Sequence, residues 1–259
     1  MKKNFASTAQ IHSSVVFGPN CREVQIGHGV KLSRDLYIDV EFLRIGDYVT
    51  IHHGSVLHGK TLRIGHNCWV GHMTILDASG GLLDIGNNVG IGAHSQVWTH
   101  MKFGDTLRGC RWNSSGRTTL EDDVWLVGHS IVSPIIARRG SMLMVGGVAT
   151  KDMEANHVYA GTPARDVTDK FGPQFRETTF QMRSEGFRDL VREYEMLGNQ
   201  VDWIAEGVDC RTGASSGLTF FDPNSMTYLP TYSEEEVKFM RFMLYDKAKF
   251  LPQTSGPEK

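Results

Sequence analysis

The sequence has few cysteines, no long apolar segment and no excess of charge of one sign, and each absence removes a class of protein. The four cysteines among 259 residues include no C-x-x-C pair, which argues against a zinc ribbon or a disulfide framework and leaves reduced thiols as the expectation. Residues 1–18 lack an apolar run of signal-peptide length, and no later segment approaches a membrane span. We therefore expect a cytoplasmic protein.

The balance of charge excludes a further class. The formal net charge is −2 and the two signs are interspersed along the chain, whereas a nucleic-acid partner would leave a basic stripe. The hydrophobic content of 40% is ordinary for a globular protein, so a sizeable core is possible. Composition alone identifies no ligand.

What the sequence does contain is a six-residue repeat. From residue 26 onward, aliphatic residues recur six apart in groups of three, and longer steps of seven or nine residues separate the first four groups. A repeat this regular predicts stacked units that bury their apolar faces against one another, here as a β-solenoid with three short strands per turn. The groups are Ile26, Leu32 and Ile38; Ile45, Ile51 and Leu57; Ile64, Val70 and Leu76; Ile85, Ile91 and Val97; Leu120, Leu126 and Val132; and Ala137, Leu143 and Ala149.

The positions four residues after these aliphatics carry small or modest side chains, which suit the inside of a narrow solenoid. A helix would need apolar spacings of three and four and would be weakened by the Ile-Gly pairs, and a sandwich would show hairpin turns between alternating strands. Cys68 fits the inward position as a small thiol. The inward positions are Val30, Val49, Ser55, Cys68, Thr74, Val89, Ser95, Val124, Ser130, Ser141 and Gly147.

The repeat motif resembles that of the hexapeptide-repeat acyltransferases. It consists of an aliphatic residue, a Gly directly after it and a small residue three places after the Gly. The stretches LEDDVWLVGHSIVSPI, MVGGVATKDM and VYAGTPARDV are similar to the end of galactoside, maltose, xenobiotic and polysaccharide O-acetyltransferases. The resemblance covers residues 26–168. It implies an all-β fold, a left-handed parallel β-helix of about six triangular coils, assembled as a homotrimer with active sites at the subunit interfaces.

The same resemblance implies an acetyl-CoA-dependent O-acetyltransferase that acts on a saccharide hydroxyl, for example in a bacterial surface polysaccharide or its precursor, with no metal. An amino-sugar N-acetyltransferase is an alternative with similar chemistry. A solenoid without catalytic activity, serving as a scaffold, is an alternative from another class, because a fold does not fix a function.

The chain divides into three parts. Residues 1–25 hold only partial repeats and are expected to cap the first coil, and residues 26–168 form the solenoid with a loop over 101–119. Residues 169–259 lose the repeat and form a partly helical extension. One helical stripe there consists of Phe187, Leu190, Val191, Tyr194 and Leu197 and stops at Gly198.

A second helix of the extension is expected after the polar stretch RTGASSG. Ser233 and Glu236 have the spacing of a capping box. The helix that follows is rich in Phe and Met, and we expect this apolar surface to pack on the solenoid rather than to bind a membrane or a cofactor.

His100 lies where the six-residue repeat stops, in the stretch GAHSQVWTHMKFGD. A polar residue there could simply cap the coil before the loop. The resemblance instead implies that His100 is the catalytic base, since acetyl transfer to a hydroxyl needs a group that takes its proton, and neutral imidazole suits that task near pH 7. Asp105, close in sequence, is a candidate to fix its tautomer.

The resemblance also implies the residues that hold the acetyl donor. Gly128 matches the position whose backbone N–H stabilises the oxyanion. Trp125, Gly146 and Gly147 are candidate walls for the pantetheine arm. Near the nucleotide end the matching positions are Thr150, Lys151, Pro163 and Arg165, whose cations suit phosphates.

The remaining histidines have simpler interpretations. His28 and His66, with Asp47 at the equivalent position between them, are expected to be corner residues that hydrogen-bond one another without a catalytic role. His72 is expected to stack on His53, and His58 lies five residues after His53. That spacing resembles part of the zinc site of γ-class carbonic anhydrases, which gives a metal-dependent alternative.

Overall fold

The structure is a computed structural model that describes residues 1–207 and 218–253. The chain divides into two compact units, Met1–Phe175 and Arg176–Lys259. The division falls seven residues after the predicted end of the solenoid at 168. The stretch RTGASSG and Cys210 lie outside the described residues.

The first unit is a β-solenoid built from short parallel strands. One sheet has eleven strands and a second has nine. The strands over Tyr37–Ile45 and Val56–Ile64 run on from one face to the next without a turn. The elements of this unit are β1 Lys2–Phe5, β2 Gln10–Ile11, β3 Val16–Phe17, β4 Glu23–Ile26, β5 Lys31–Leu32, β6 Tyr37–Ile45, β7 Thr50–Ile51, β8 Val56–Ile64, β9 Trp69–Val70, β10 Ile75–Ile85, β11 Gly90–Ile91, β12 Gln96–Trp98, β13 His100–Lys102, β14 Asn113–Ser115, β15 Thr118–Leu120, β16 Trp125–Leu126, β17 Ile131–Val132, β18 Ile136–Ala137, β19 Met142–Leu143, β20 Val148–Ala149, β21 Val158–Ala160, β22 Arg165–Asp166 and α1 Thr168–Phe171.

The repeating aliphatics stack in three columns, as the spacing predicts. In the first column, Ile26 pairs with Ile45, Ile45 with Ile64, and the series continues to Ala137. The second column runs from Leu32 and the third from Ile38 in the same way. All eighteen predicted aliphatics are buried, and the inward positions are buried with them, so burial of the columns holds the coils together.

The columns begin earlier than the sequence analysis placed them. Phe5 pairs in parallel with Ile26, Ile11 with Leu32, and Phe17 is in line with the third column. Residues 1–25, predicted as a cap, therefore continue the parallel stacking. Their apolar side chains are partly buried and pack against the core of the following coils.

Two turns of fixed form join the columns within each coil. The residue three places after each first-column aliphatic has positive φ, which favours Gly, Asn and Asp. Those residues are Gly29, Tyr48, Asn67, Asn88, Asp123, Gly140 and Asn156. The second turn repeats this conformation at Asp35, Gly54, Met73, His94, His129 and Gly146. We call the segment after the third column the third segment; its length varies between coils.

The second unit has its own aromatic core. Its elements are α2 Phe180–Met196, β23 Ile204–Glu206, β24 Thr219–Asp222, β25 Thr227–Leu229, α3 Glu234–Leu244 and β26 Leu251–Pro252. Phe187 of α2 contacts Phe221, Phe239 and Phe250. The apolar face of α3 thus packs inside this unit, whereas the sequence analysis expected packing on the solenoid; apolar density alone does not identify the partner surface.

The helix boundaries of the second unit follow the predicted signals closely. Ser233 caps α3 by accepting from Glu236 N at 3.1 Å, but the Glu236 side chain turns inward to Thr231 and Thr219 instead of completing the capping box. Gly198, with φ +87°, follows the end of α2, and Leu197 is exposed beyond the buried stripe. In the described ranges, no helix is long and apolar enough to span a bilayer.

Candidate functional site

The break in the repeat is a β-hairpin that leaves the solenoid at His100. β13 and β14 pair antiparallel, with His100 opposite Ser115. The hairpin tip exposes large apolar side chains, Phe103, Leu107 and Trp112. The chain then rejoins the stack, because Gly116 N donates to Thr99 O at 2.9 Å. The regular wall is interrupted only between 100 and 117, and His100 stands at its edge.

Two glycines of the preceding coil make room for the hairpin base. A Cβ atom on Gly80 would lie 2.1 Å from Thr99 O and 2.6 Å from His100 Cβ, and one on Gly81 would lie 2.6 Å from Gly116 O. Gly80 N also donates to Thr99 Oγ1 at 2.9 Å. The backbones therefore approach closely, which requires residues without a side chain. The dipeptide was a signal that the sequence analysis did not use.

Asp77 is the carboxylate beside His100. His100 Nδ1 is buried and lies 3.5 Å from Asp77 Oδ1, and it makes no normal hydrogen bond within the described ranges. Asp77 Oδ1 is held by Ser79 N at 2.7 Å. A carboxylate facing Nδ1 favours the tautomer with its proton there, which leaves the lone pair of Nε2 available as a base.

A second histidine shares this carboxylate. His58 Nδ1 lies 3.6 Å from Asp77 Oδ2 and 3.0 Å from Ser79 Oγ. The expected partner Asp105 is instead at the hairpin tip, where its carboxylate accepts from Arg108 N. Proximity in sequence was misleading, because Asp77 reaches His100 from the adjacent coil. The inter-coil register, which pairs Asp77 with His58 and with Trp98, was the signal that could have found it.

An aromatic side chain flanks the same site. The rings of Trp98 and His100 meet edge to face, with centroids 5.8 Å apart. Trp98 Nε1 donates to Gln96 Oε1 at 3.1 Å, which fixes the orientation of the indole. The site thus combines an imidazole, a carboxylate and an aromatic face.

The predicted residues for the acetyl donor lie at the second turn and toward the end of the solenoid. Gly128 O accepts from Gly146 N at 3.1 Å, so these two predicted residues are adjacent. In the described part of the chain, the Gly128 N–H has no acceptor. Trp125 is 46% exposed, and Gly147 is buried against Leu143.

The candidate phosphate-binding residues surround the last coils. Gly146 O accepts from Thr162 Oγ1, beside the cis peptide bond that precedes Pro163. Thr150, Lys151 and Arg165 are exposed. No carboxylate within residues 1–207 or 218–253 pairs with Lys151 or with Arg165. Unpaired cations at this end suit an anionic ligand.

The structure does not bring Gly128 and His100 together within one protomer. Gly128 follows the second column, whereas His100 follows the third, and the strands β12 and β17 lie between them. One copy of the chain therefore carries the base and the candidate oxyanion donor on different edges of the solenoid.

The ladder expected for His28, Asp47 and His66 and the stack expected for His53 and His72 are both present. Asp47 Oδ1 accepts from His28 N at 2.7 Å, and His66 Nδ1 accepts from Asp47 N at 2.9 Å. The first turn is thus a ladder in which each side chain binds the backbone of the preceding coil. His53 and His72 stack, with their Nδ1 atoms 3.0 Å apart.

The zinc alternative finds no support in this arrangement. His58 contacts Ser79 and Asp77, away from the pair of His53 and His72. Within the described residues, no group of three His, Cys, Asp or Glu side chains is placed to hold a metal. Burial, with a smaller effect of His72, lowers the pKa of the neighbouring His52.

Comparisons with known proteins were made against families, curated sequences and solved structures. No family model matches the chain. The chain is 26% identical over 173 residues to the bifunctional protein GlmU of Paraburkholderia xenovorans, covering 59% of this chain and 34% of that protein. It is 30% identical over 117 residues to the Schizosaccharomyces pombe protein named "Putative acetyltransferase", covering 44% and 52%. The chain thus spans about a third to a half of these relatives.

Among solved structures, the fold is similar to that of a mutant of AntD, an N-acyltransferase from Bacillus cereus in complex with dTDP-4-amino-4,6-dideoxyglucose and coenzyme A. The TM-score is 0.49 at 15% identity, over 64% of this chain and 90% of that one. At these values the likeness carries no argument about the reaction.

The repeat and the stacked columns together define a β-solenoid with a six-residue repeat. Over part of its length the chain is similar in sequence to the two curated relatives.

Proposed function

We propose that this chain is an acetyl-CoA-dependent acyltransferase that acetylates a saccharide hydroxyl, with His100 as general base. The observation that carries the proposal is the placement of His100 at the break in the solenoid, with Nδ1 facing Asp77 and Nε2 left free to act. Its acceptor would be a bacterial surface polysaccharide or a precursor. The buried free thiols of Cys21 and Cys68 suit a cytoplasmic location.

The mechanism is direct transfer. His100 Nε2 takes the proton of the acceptor hydroxyl as its oxygen forms a bond to the acetyl carbon. The Gly128 N–H stabilises the negative charge that develops on the carbonyl oxygen. As the carbon–sulfur bond breaks, His100 returns the proton to the departing thiolate of coenzyme A. Asp77 stabilises the imidazolium between these two steps.

The proposed assembly of the subunits is based on the separation of His100 from Gly128. Because one protomer holds His100 and Gly128 on different edges, we propose a homotrimer in which each site takes the base from one copy and the donor groove from its neighbour. The coils are proposed to be triangular and left-handed, about six of them between residues 26 and 152. Light scattering is expected to give a trimeric mass, and a monomer at micromolar concentration would contradict this arrangement.

In the donor groove, Trp125 and the glycines of the second turn would line the pantetheine arm. Thr150, Lys151, Pro163 and Arg165 would surround the phosphates. Calorimetry with coenzyme A is expected to show binding that weakens at least tenfold in Lys151→Ala. Absence of binding at millimolar coenzyme A would favour a scaffold without catalytic activity.

The acceptor is identified by incubating the protein with acetyl-CoA and a panel of saccharides and nucleotide sugars. We expect a mass gain of one acetyl group that mild hydroxylamine removes, since an ester is cleaved and an amide survives. A resistant product would move the proposal to N-acetylation of an amino sugar. Equal product with His100→Ala would exclude the assigned base.

A further inference from the structure

A polar groove of about 410 Å³ lies on the solenoid beside the His100 site, toward the N terminus. Its walls come from the third segments of successive coils and from residues 19–22. His58 belongs to both features, because it lines the groove while its Nδ1 atom faces Asp77. His58 therefore connects the groove to the carboxylate that faces His100.

The register makes this a continuous line along the solenoid. Asp39 pairs with His58, His58 with Asp77, and Asp77 with Trp98, each one residue after a third-column aliphatic. Side chains at equivalent positions of adjacent strands are about 5 Å apart. The line thus crosses several coils and is long enough for more than one sugar unit.

The groove mixes hydrogen-bond donors with acceptors. The Arg22 guanidinium pairs with Glu41 at 3.0 Å. Asp39, only 4% exposed, accepts from the backbone N and the side-chain Nδ2 of Asn20 at 2.8 and 2.7 Å. The Lys60 ammonium has no ion-pair partner within the described ranges. The positive charges of Arg22 and Lys60 balance the negative charges of Asp39 and Glu41. The groove therefore suits a neutral ligand rich in hydroxyl groups better than a polyanion or an apolar molecule.

The other end of the line supplies an aromatic face. The indole of Trp98 is fixed by Gln96 and flanks His100. An apolar face beside polar partners matches the two kinds of surface that a sugar ring presents. Carbohydrate is therefore the ligand class that fits both ends.

We propose that this line is an oligosaccharide-binding track. The reacting sugar lies beside the Trp98–His100 pair, and the sugars next to it in the chain lie along His58 toward Lys60. This inference rests on the proposed function, since it assumes that the group acetylated at His100 is part of a saccharide.

The test is a length series of neutral acceptors, using maltose-series and chitin-series oligosaccharides of one to four sugars. Calorimetry measures their binding, and acetyl transfer is followed in parallel. For the wild type we expect affinity and kcat/KM to rise about tenfold from one sugar to four. Lys60→Ala should remove most of that rise, because the sugars beyond the first lose this cation.

The matched control is Arg63→Ala, which removes an exposed cation from the same strand, β8, outside the groove. It should retain the full length dependence. Wild-type values that do not depend on length in either series would overturn the track and leave the proposed function standing. Length-dependent binding without transfer to any saccharide would support the track and overturn the proposed function.

Discussion

His66 and His100 both lie on the solenoid, and they differ in whether the Nδ1 atom of the imidazole makes a hydrogen bond. The His66 imidazole accepts a hydrogen bond at Nδ1 from Asp47 N, and the backbone N–H of His66 donates to Asn87 Oδ1 at 2.8 Å. His100 Nδ1 is buried, faces Asp77 at 3.5 Å and has no normal hydrogen bond among the residues described. A histidine on a solenoid is therefore structural where the ladder satisfies it, and available for chemistry where the ladder is broken.

The largest expected difference between the two appears when each is removed. His100→Ala should lower turnover by roughly 10²–10⁴-fold and leave coenzyme A binding unchanged, because the base acts in the transition state. His66→Ala should keep turnover and lower the free energy of unfolding by about 1 kcal/mol, since a ladder bond is lost. Steady-state kinetics and denaturant unfolding measure both. Comparable losses of turnover in the two variants would remove the distinction.

The second prediction separates Asp77 from Asp105. Asp77→Asn should reduce kcat by roughly 10–10²-fold with little change in the KM for acetyl-CoA, because the imidazole loses the carboxylate that orients it and stabilises its charged form. Asp105→Asn, at the hairpin tip, should behave as the wild type. The opposite ranking of the two variants would restore the carboxylate expected from the sequence.

The third prediction concerns the backbone approach that places His100. Gly80→Ala should destabilise the solenoid by roughly 1–3 kcal/mol, because its Cβ would meet the backbone of Thr99 and the Cβ of His100. Turnover should fall as His100 is displaced. Gly186→Ala is the control: it lies inside α2 with nothing within 4 Å of the new Cβ and should stabilise by up to about 1 kcal/mol. Thermal unfolding compares the variants.

These contrasts show which parts of the structure the sequence could predict. The three columns follow from spacing alone, because burial recurs every six residues in each coil. The corner ladder of His28, Asp47 and His66 follows for the same reason. The role of Asp77 needed the register between coils, which changes where the third segment gains residues.

Other features depended on contacts that spacing does not record. The hairpin after His100 pairs exposed residues of which only Met101 is apolar, so no alternation of apolar side chains marks its strands. The apolar face of α3 was recognised, but its burial against Phe187 and Phe221 depends on strands far away in sequence. Gly128 and His100 lie on different edges of the solenoid, and this becomes evident only after each residue has been assigned to the column that precedes it.

The smallest predicted effect uses a second carboxylate–histidine pair, which is tighter than that of His100. His157 Nδ1 lies 2.6 Å from Asp166 Oδ2. This hydrogen bond, with those from the Thr168 side chain and backbone, lowers the pKa of Asp166 to about 2. A depressed pKa adds stability that is complete above the usual value of 3.8 and is lost as pH falls through about 2.

Carboxyl NMR titration should therefore place the midpoint of Asp166 near 2, and Thr168→Val should raise it toward the ordinary range. The loss of stability at low pH should be confined to the strands β21 and β22, because Asp166 is exposed and its charge is screened by solvent. A midpoint near 3.8 in the wild type would contradict the pairing.

The third segment is also the one place where the coil can change length. The steps between the first and second columns and between the second and third are always six residues, whereas the third segment ranges from five residues, Val132 to Ala137, to twenty-three, Val97 to Leu120. An insertion in either turn would shift every later column out of line, but an insertion here leaves the stack intact. Descendants of such a chain can therefore acquire a new surface beside the break by lengthening one loop, without redesigning the scaffold that carries it.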